Sequence, residues 1–210
     1  MKIIAIEANI AAGKSALLTP LCSELEVMTG KSWSVIVEPV DRDPIFLELL
    51  AAFVRSPDDA DVRIKFQMYI TTTRQQLLKN IGDGNYLIER SLFSDIVFCQ
   101  TNFLTTERPG AEYMNYFYKI KEYLKDYPPI DLVVYVDRDP EACLASCRQR
   151  ARNGEENYTL DYFQDLKYFH DACLPQITRK YNTQLLTYPV GADFADAKRL
   201  AQVIHQKMGW

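Results

Sequence analysis

A parallel α/β sheet with helices on both faces is the fold this sequence predicts, and three observations predict it. Five short apolar runs alternate with helical stretches along 210 residues. No hairpin turn joins any two runs, so the strands must be parallel and connected through helices. The first run, Ile3-Ile4-Ala5-Ile6, opens through a small-residue loop into Gly13-Lys14-Ser15 at a helix start. Strand, loop and helix in that order make a phosphate-binding P-loop over residues 7–15, with Ala8 where a first glycine is usual. The chain reads as one domain, 1–210.

The elements follow in order. Ser15 to Val27 carries Leu17, Leu18, Leu21, Cys22 and Leu25 at helical spacing. Pro20, beyond its first turn, predicts a kink, and Gly30 closes it. Val35 to Pro39 is a short strand ending in an acid, Glu38. Pro44 to Val54 is an apolar helix, broken at Ser56-Pro57-Asp58-Asp59. A long helix runs from about Asp61 to Asn80 and turns at Gly82-Asp83-Gly84. Tyr86-Leu87-Ile88 is the third strand and leads into Glu89-Arg90-Ser91.

Helices then cover roughly Ser94 to Phe103 and Glu112 to Lys125. The second carries Tyr113, Tyr116, Phe117, Ile120 and Leu124 as a stripe, suited to the core or to a second subunit. Leu132 to Val136 is the fourth strand. A helix from Pro140 to Arg150 leads into the basic run Arg148, Arg150 and Arg152. A helix over about Leu160 to Tyr181, a fifth strand Leu185 to Tyr188 and a helix from Ala195 to Met208 complete the chain.

The charge balance, 24 Lys+Arg against 28 Asp+Glu, argues against a nucleic-acid partner, which calls for a basic surface. Five cysteines are odd in number. Cys143 and Cys147 lie four apart but lack neighbouring histidines, so a metal site is the weaker reading. Reduced core thiols in a cytoplasmic protein fit better. The first strand begins at the N-terminus, leaving no room for a signal peptide. No apolar run approaches membrane-spanning length.

Ligands of such sheets bind beyond the C-terminal strand ends, and the chemistry-bearing residues fall there. Backbone N–H groups of Asn9, Ile10, Ala11, Ala12 and Gly13 are set to wrap phosphates at the helix N-terminus. Lys14 reaches for the β- and γ-phosphates, and the Ser15 hydroxyl for Mg²⁺. Glu38, after the second strand, is a carboxylate able to take a hydroxyl proton. Glu89 and Arg90, after the third, suit Mg²⁺ and a moving phosphoryl group. Arg148, Arg150 and Arg152 supply positive charge as a lid over about 148–158. On the long helix, Phe66, Gln67, Ile70 and Arg74 can share a face. Gln67 offers a paired donor and acceptor to a base edge; Phe66 offers a ring, and Phe98 is either the opposite ring or plain core.

These residues together resemble the deoxyribonucleoside kinases, the family of deoxycytidine, deoxyguanosine and deoxyadenosine kinases and the insect multisubstrate kinase. The resemblance spans nearly the whole chain. Its marks are Glu7 to Ser15, Glu38-Pro39-Val40, Phe66-Gln67, Glu89-Arg90-Ser91, Arg150 to Glu156 and Ala192-Asp193-Phe194. It implies ATP as co-substrate with Mg²⁺, a deoxynucleoside acceptor, and a homodimer. It implies Glu38 as the proposed base and Asp193 and Phe194 beside the ATP adenine. Glu155, with Glu156 as the alternative, corresponds to a lid glutamate that bonds the sugar 3′-hydroxyl. Arg74 and Asp95 match a pair found in relatives that act on deoxycytidine and purine deoxynucleosides rather than thymidine. Among these the Asp95-to-Phe98 spacing favours deoxyadenosine.

The departures are definite. A family tyrosine due between Leu47 and Val54 is missing, the chain is about two residues longer before Phe66, and Ser146 stands where a lid arginine is usual. His170 and His205 match no family position. Two rivals stand beside this reading. A nucleoside monophosphate kinase needs cations for an acceptor phosphate, for which Arg42, Arg63 and Arg74 are available. A catalytically silent structural subunit of the same fold has Ala8 as its only support.

Overall fold

Strands and helices alternate through the computed structural model, which describes residues 1–38, 43–56, 59–104, 110–152 and 155–210. The strands are β1 (Lys2–Ala8), β2 (Ser34–Ile36), β3 (Asn85–Glu89), β4 (Leu132–Arg138) and β5 (Gln184–Gly191). The helices are α1 (Lys14–Thr29), α2 (Pro44–Arg55), α3 (Ala60–Leu78), α4 (Leu92–Leu104), α5 (Ala111–Tyr123), α6 (Pro140–Arg150), α7 (Leu160–Lys180) and α8 (Ala197–Met208). All strand pairs are parallel, in the order β2-β3-β1-β4-β5. β1 is central, so the loop after it opens where the strand order reverses. Crevices for ligands form at that switch point.

Alternation along β1 divides the core. Ile4, Ile6 and Ala8 pack with α1, α6 and α8, whereas Ile3 and Ala5 pack with α4, α5 and α7. Both sets are wholly buried, which is why β1 and β4 read as continuous apolar runs. A smaller cluster joins Leu49, Leu50 and Phe53 of α2 to Phe66 of α3. Helix starts are fixed locally: the carboxylates of Asp43, Asp59 and Asp196 and the Thr159 hydroxyl accept N–H bonds at the first turns of α2, α3, α8 and α7.

Several expectations change in detail. β2 is shorter than its apolar run, ending at Ile36, so Glu38 stands in the segment beyond the strand. Pro39, Val40 and Arg42, and the lid residues Asn153 and Gly154, lie outside the described residues. α1, with Pro20 inside it, starts one residue earlier and ends two later than its apolar pattern, at Lys14–Thr29. The stripe on α5 belongs to the core: Tyr116, Ile120 and Leu124 are buried, and Tyr113 and Phe117 pack at its margin. None of the five cysteines is in a disulfide, and Cys22, Cys99, Cys143 and Cys147 are buried. Among the described residues no helix is long and apolar enough to cross a membrane.

His170 is fully buried on α7, stacked on Tyr135 at 5.3 Å, with Nδ1 donating 2.6 Å to the Leu166 carbonyl. Nε2 has no partner. Burial, with Arg90 and Lys14 nearby, lowers its pKa to about 3. The unfolded chain, with an ordinary histidine near pH 6.5, binds the proton that the folded chain refuses between those values. Stability therefore falls as pH falls below about 6.5, by roughly 1.4 kcal/mol per unit from this residue. Denaturant titrations at pH 7.5 and 5 should show His170→Phe losing about 2 kcal/mol less than the parent over that interval.

Candidate active site

The loop after β1 takes its shape from two residues in left-handed conformations, Ala11 at φ 53° and Gly13 at φ 91°. Ala8 is not among the positive-φ residues: it remains in β1, paired with Val136 and buried. Its Cβ therefore meets no backbone penalty, and the missing glycine leaves the loop intact. Asn9 supports the loop from behind, its amide donating 2.9 Å to the Phe163 carbonyl and its Oδ1 accepting from the Ile10 N–H. Lys14 Nζ donates 2.8 Å to the Asn9 carbonyl. Burial, then Arg90, lowers the Lys14 pKa to about 7, against the opposing pull of Glu89 and Glu38.

A cavity of about 390 Å³ extends from this loop between α2, α3 and α6, within the size range of small-molecule sites. It gathers most of the residues singled out in the sequence. Ile10 to Ser15, Glu38, Glu89, Arg90, Arg150, Arg152, Glu155 and Phe194 line it, together with Phe66, Gln67, Ile70, Arg74, Asp95 and Phe98. Three do not. Asn9 serves the loop as just described. Arg148 is exposed on α6, because residues two apart on a helix point to nearly opposite sides. Ser146 and Arg150, four apart, share the cavity face instead. Asp193 is exposed, its N–H bonded to the Val190 carbonyl.

Buried acid–base contacts set the geometry of the walls. Glu7, wholly buried, accepts bonds at Oε1 from the Ser91 N–H at 2.9 Å and the Ser91 hydroxyl at 2.7 Å. Its Oε2 accepts from the Ser94 hydroxyl. That ties the turn after β3 to the end of β1, with Arg90 at φ 60° and its N–H on the Ile6 carbonyl. The Arg90 guanidinium lies 4.9 Å over the Phe98 ring and donates to Ser94 Oγ at 3.2 Å. Ser15 Oγ donates 2.7 Å to Glu89 Oε1, bringing a hydroxyl and a carboxylate together at the mouth of the loop. Among the described residues no cluster of three or more His, Cys, Asp or Glu side chains is arranged for a metal. One carboxylate and one hydroxyl suit a hard cation that keeps waters and phosphate oxygens as its other ligands.

Arg74 divides its guanidinium between two carboxylates, Nη1 on Asp95 and Nη2 on Glu38. Asp95, 1 % exposed, also accepts from the Thr71 hydroxyl at 2.7 Å, and Tyr116 hydrogen-bonds that hydroxyl from behind. Burial pushes the Asp95 carboxyl up against the pull of Arg74 and Thr71, and it stays above its ordinary value. Burial also raises Glu38, but Arg74 and Arg90 outweigh it, and its pKa falls below the usual carboxylate range. At the other end, Arg150 Nη2 bonds both Glu155 oxygens at 2.8 and 2.7 Å, and Arg152 Nη1 reaches Oε1 at 3.1 Å.

Sequence reasoning missed several wall residues. Phe46 and Leu50 face the cavity four apart on α2, and Tyr158 stacks on Tyr162 at 5.2 Å beside Glu155. Arg138, at the C-terminal end of β4, donates to the carbonyls of Ala11 and Ala192 and to Ser146 Oγ. Its guanidinium also lies 3.8 Å over the Phe194 ring. The rule that placed Glu38 and Arg90 at strand ends points to Arg138 equally. Phe194 covers the loop so closely that a Cβ on Gly13 would come within 2.5 Å of its ring.

A family model described as deoxynucleoside kinase matches residues 4–208. Deoxycytidine kinase of Homo sapiens is 27% identical over 232 residues, covering 93% of this chain and 86% of its own. Deoxyguanosine kinase of Dictyostelium discoideum is 27% identical over 172 residues, covering 79% of this chain and 56% of its own. Among solved structures, deoxyadenosine kinase from M. mycoides with bound dATP aligns at a TM-score of 0.72 and 22% identity, covering 99% of this chain and 100% of that one. The same kinase with bound dCTP aligns at 0.71 and 21%, covering 99% and 98%. At those identities the likeness speaks for the fold.

Lys14 offers a direct test of the loop. A phosphate docked beside a lysine of pKa about 7 raises that pKa, so binding at pH 8 takes up a proton. Calorimetry of Mg-ATP binding in buffers of different ionisation heat should show net uptake by the parent and none by Lys14→Ala.

Proposed function

The chain belongs to the deoxynucleoside kinase family, and from that premise we propose that it transfers the γ-phosphoryl group of ATP to the 5′-hydroxyl of a deoxynucleoside in nucleotide salvage. The observation that carries the reading is one cavity lined by both the Gly13-Lys14-Ser15 loop and the Glu38–Arg74–Asp95 chain of ion pairs. The first suits a triphosphate; the second suits a hydroxyl and a base edge.

In the step itself, a lone pair on the 5′-oxygen forms the bond to the γ-phosphorus. The bond from that phosphorus to the β,γ-bridging oxygen breaks, its electrons leaving on ADP, and Glu38 takes the hydroxyl proton. Lys14 and Arg90 hold charge on the moving group, and Arg150 and Arg152 close over it from the lid. Ser15 and Glu89 would hold Mg²⁺, which when bound neutralises phosphate charge. Phe194 would flank the adenine. Gln67 and Phe66 would hold the deoxynucleoside base against Phe98 and Ile70, with Glu155 on the sugar hydroxyl.

Asp95 decides the base. An acceptor-only carboxylate fixed by Arg74 suits an edge with an amino donor, as in adenine and cytosine. Thymine presents a carbonyl there, and a buried group left unpaired costs about 1–3 kcal/mol or more. Deoxyadenosine and deoxycytidine are therefore the favoured acceptors, deoxyadenosine slightly ahead; deoxyguanosine, which carries a carbonyl at that position, joins them only on the likeness to a deoxyguanosine kinase. The monophosphate kinase reading loses ground on one observation. Arg63 is buried outside the cavity lining, 3.6 Å from Glu112 and 5.3 Å over Phe103, where no acceptor phosphate reaches it.

We propose a single kinase domain, acting as a cytoplasmic homodimer. The α5 stripe is occupied within the chain, but Leu104, Met114, Tyr118 and Tyr168 remain exposed as apolar material for a second copy. Light scattering at micromolar concentration should give twice the 24.2 kDa chain mass, and a monomer would refute the dimer. A phosphorylation screen over the four natural deoxynucleosides with Mg-ATP tests the activity. Thymidine should be the poorest acceptor by at least about tenfold, and Glu38→Gln should lower turnover roughly 10²–10⁴-fold while nucleoside binding persists. Thymidine used as efficiently as the others would overturn the base assignment.

A further inference from the structure

Two carboxylates with different tasks share one arginine. Asp95 and Glu38 each take one terminal nitrogen of Arg74, and the guanidinium is 6 % exposed. Its third group, Nε, is buried without a hydrogen-bond partner among the described residues. Glu38 is covered on its other oxygen as well: Arg90 Nε stands 3.7 Å from Oε2, and Lys14 adds positive charge from the loop side. A carboxylate with both oxygens facing cations is a weak proton acceptor, because protonation would forfeit both attractions. The group assigned to take the 5′-hydroxyl proton is thus restrained by an arginine that holds both carboxylates at once.

We propose that Arg74 couples nucleobase recognition to the release of Glu38. This rests on the deoxynucleoside kinase reading and adds to it a cause for when the base becomes active. An edge that places an amino group on Asp95 beside a ring-nitrogen or carbonyl acceptor gives Arg74 a new acceptor next to Asp95. The guanidinium turns its donors to that edge and withdraws from Glu38 as the 5′-hydroxyl arrives. Only Arg90 and Lys14 then oppose protonation of Glu38. A base without the amino group leaves Arg74 where it is, so the wrong base is penalised in turnover as well as in binding. Remote parts of a substrate raise the rate at the reacting centre in the same way whenever their binding energy is used to rearrange the site. Arg74 is on this account a positioning residue, acting through Glu38.

The sugar without its base separates this coupling from simple base binding. The acceptor is 1,2-dideoxyribose, which keeps the 3′- and 5′-hydroxyls, with Mg-ATP and with or without saturating adenine. The parent should phosphorylate it slowly, and adenine should raise the rate roughly tenfold, less than the roughly 10²–10⁴-fold of a fully effective base because Arg90 and Lys14 still face Glu38. Arg74→Gln should phosphorylate the bare sugar faster than the parent, with adenine adding nothing. A role confined to structure or base binding predicts no such gain. Arg74→Gln leaves Asp95 buried without its cation, so Arg74→Gln/Asp95→Asn is measured alongside and should show the same gain. Bare-sugar rates at or below the parent in both variants, or a parent indifferent to adenine, overturn the coupling while deoxynucleoside turnover keeps the kinase reading intact. No turnover of any deoxynucleoside overturns both.

Discussion

The buried carboxylate of Glu7 is the constraint on which the site depends. It sits at the end of the central strand with no solvent, so its oxygens must find donors inside the protein, and Ser91 and Ser94 provide them. Meeting that demand fixes the turn after β3 and sets Arg90 in a left-handed backbone, a conformation that costs energy for any residue but glycine. The same turn carries Glu89 to Ser15. Phosphate loop, the Ser15–Glu89 pair and the arginine over Phe98 are thereby held together by one buried carboxylate. Removing that charge would leave hydroxyls and an N–H without acceptors beside the reacting groups.

A second level of order comes from cations that each serve two partners. Arg74 joins Glu38 to Asp95, and Arg138 joins the loop after β1 to the segment after β5. Arg150 and Arg152 both converge on Glu155. Guanidinium groups suit such bridging because their donors are rigid, planar and numerous. The Arg74 and Arg138 bridges link chain segments far apart in sequence, whereas the lid arginines meet a glutamate only five and three residues away.

Much of this was legible from residue order. Apolar runs without hairpins required the parallel sheet, and strand ends carried Glu38, Glu89 and Arg90 to the cavity. The P-loop was readable despite Ala8, since strand, loop and helix were in register and Ala8 itself belongs to the strand. What escaped depended on angular position within helices and on distant contacts. Arg148 and Arg150 look equivalent in a basic run, yet a helix turns them to different sides, and Ser146 shares the favoured face. The aromatic stripe of α5 fits a core and an interface equally, and only the packing of Phe103 beside Tyr116 and Tyr113 decides between them. Arg138 carries no motif at all. Only its place at a strand end marks it, and its partners, the Ala11 and Ala192 carbonyls, are distant in sequence.

The strand order also governs how the molecule can be made. β1 and the phosphate loop are encoded in the first fifteen residues, yet β1 lies between β3 and β4, pairing Ile4 with Leu87 on one side and Leu132 on the other. On a ribosome β1 emerges before both neighbours and must wait for partners some eighty and then more than a hundred and twenty residues behind it. Non-local parallel pairing is slow to form and leaves apolar surface open meanwhile. The strand that carries the phosphate loop is thus synthesised ahead of both its neighbours and completed only after them, and until then it leaves apolar surface of the growing chain open to aggregation.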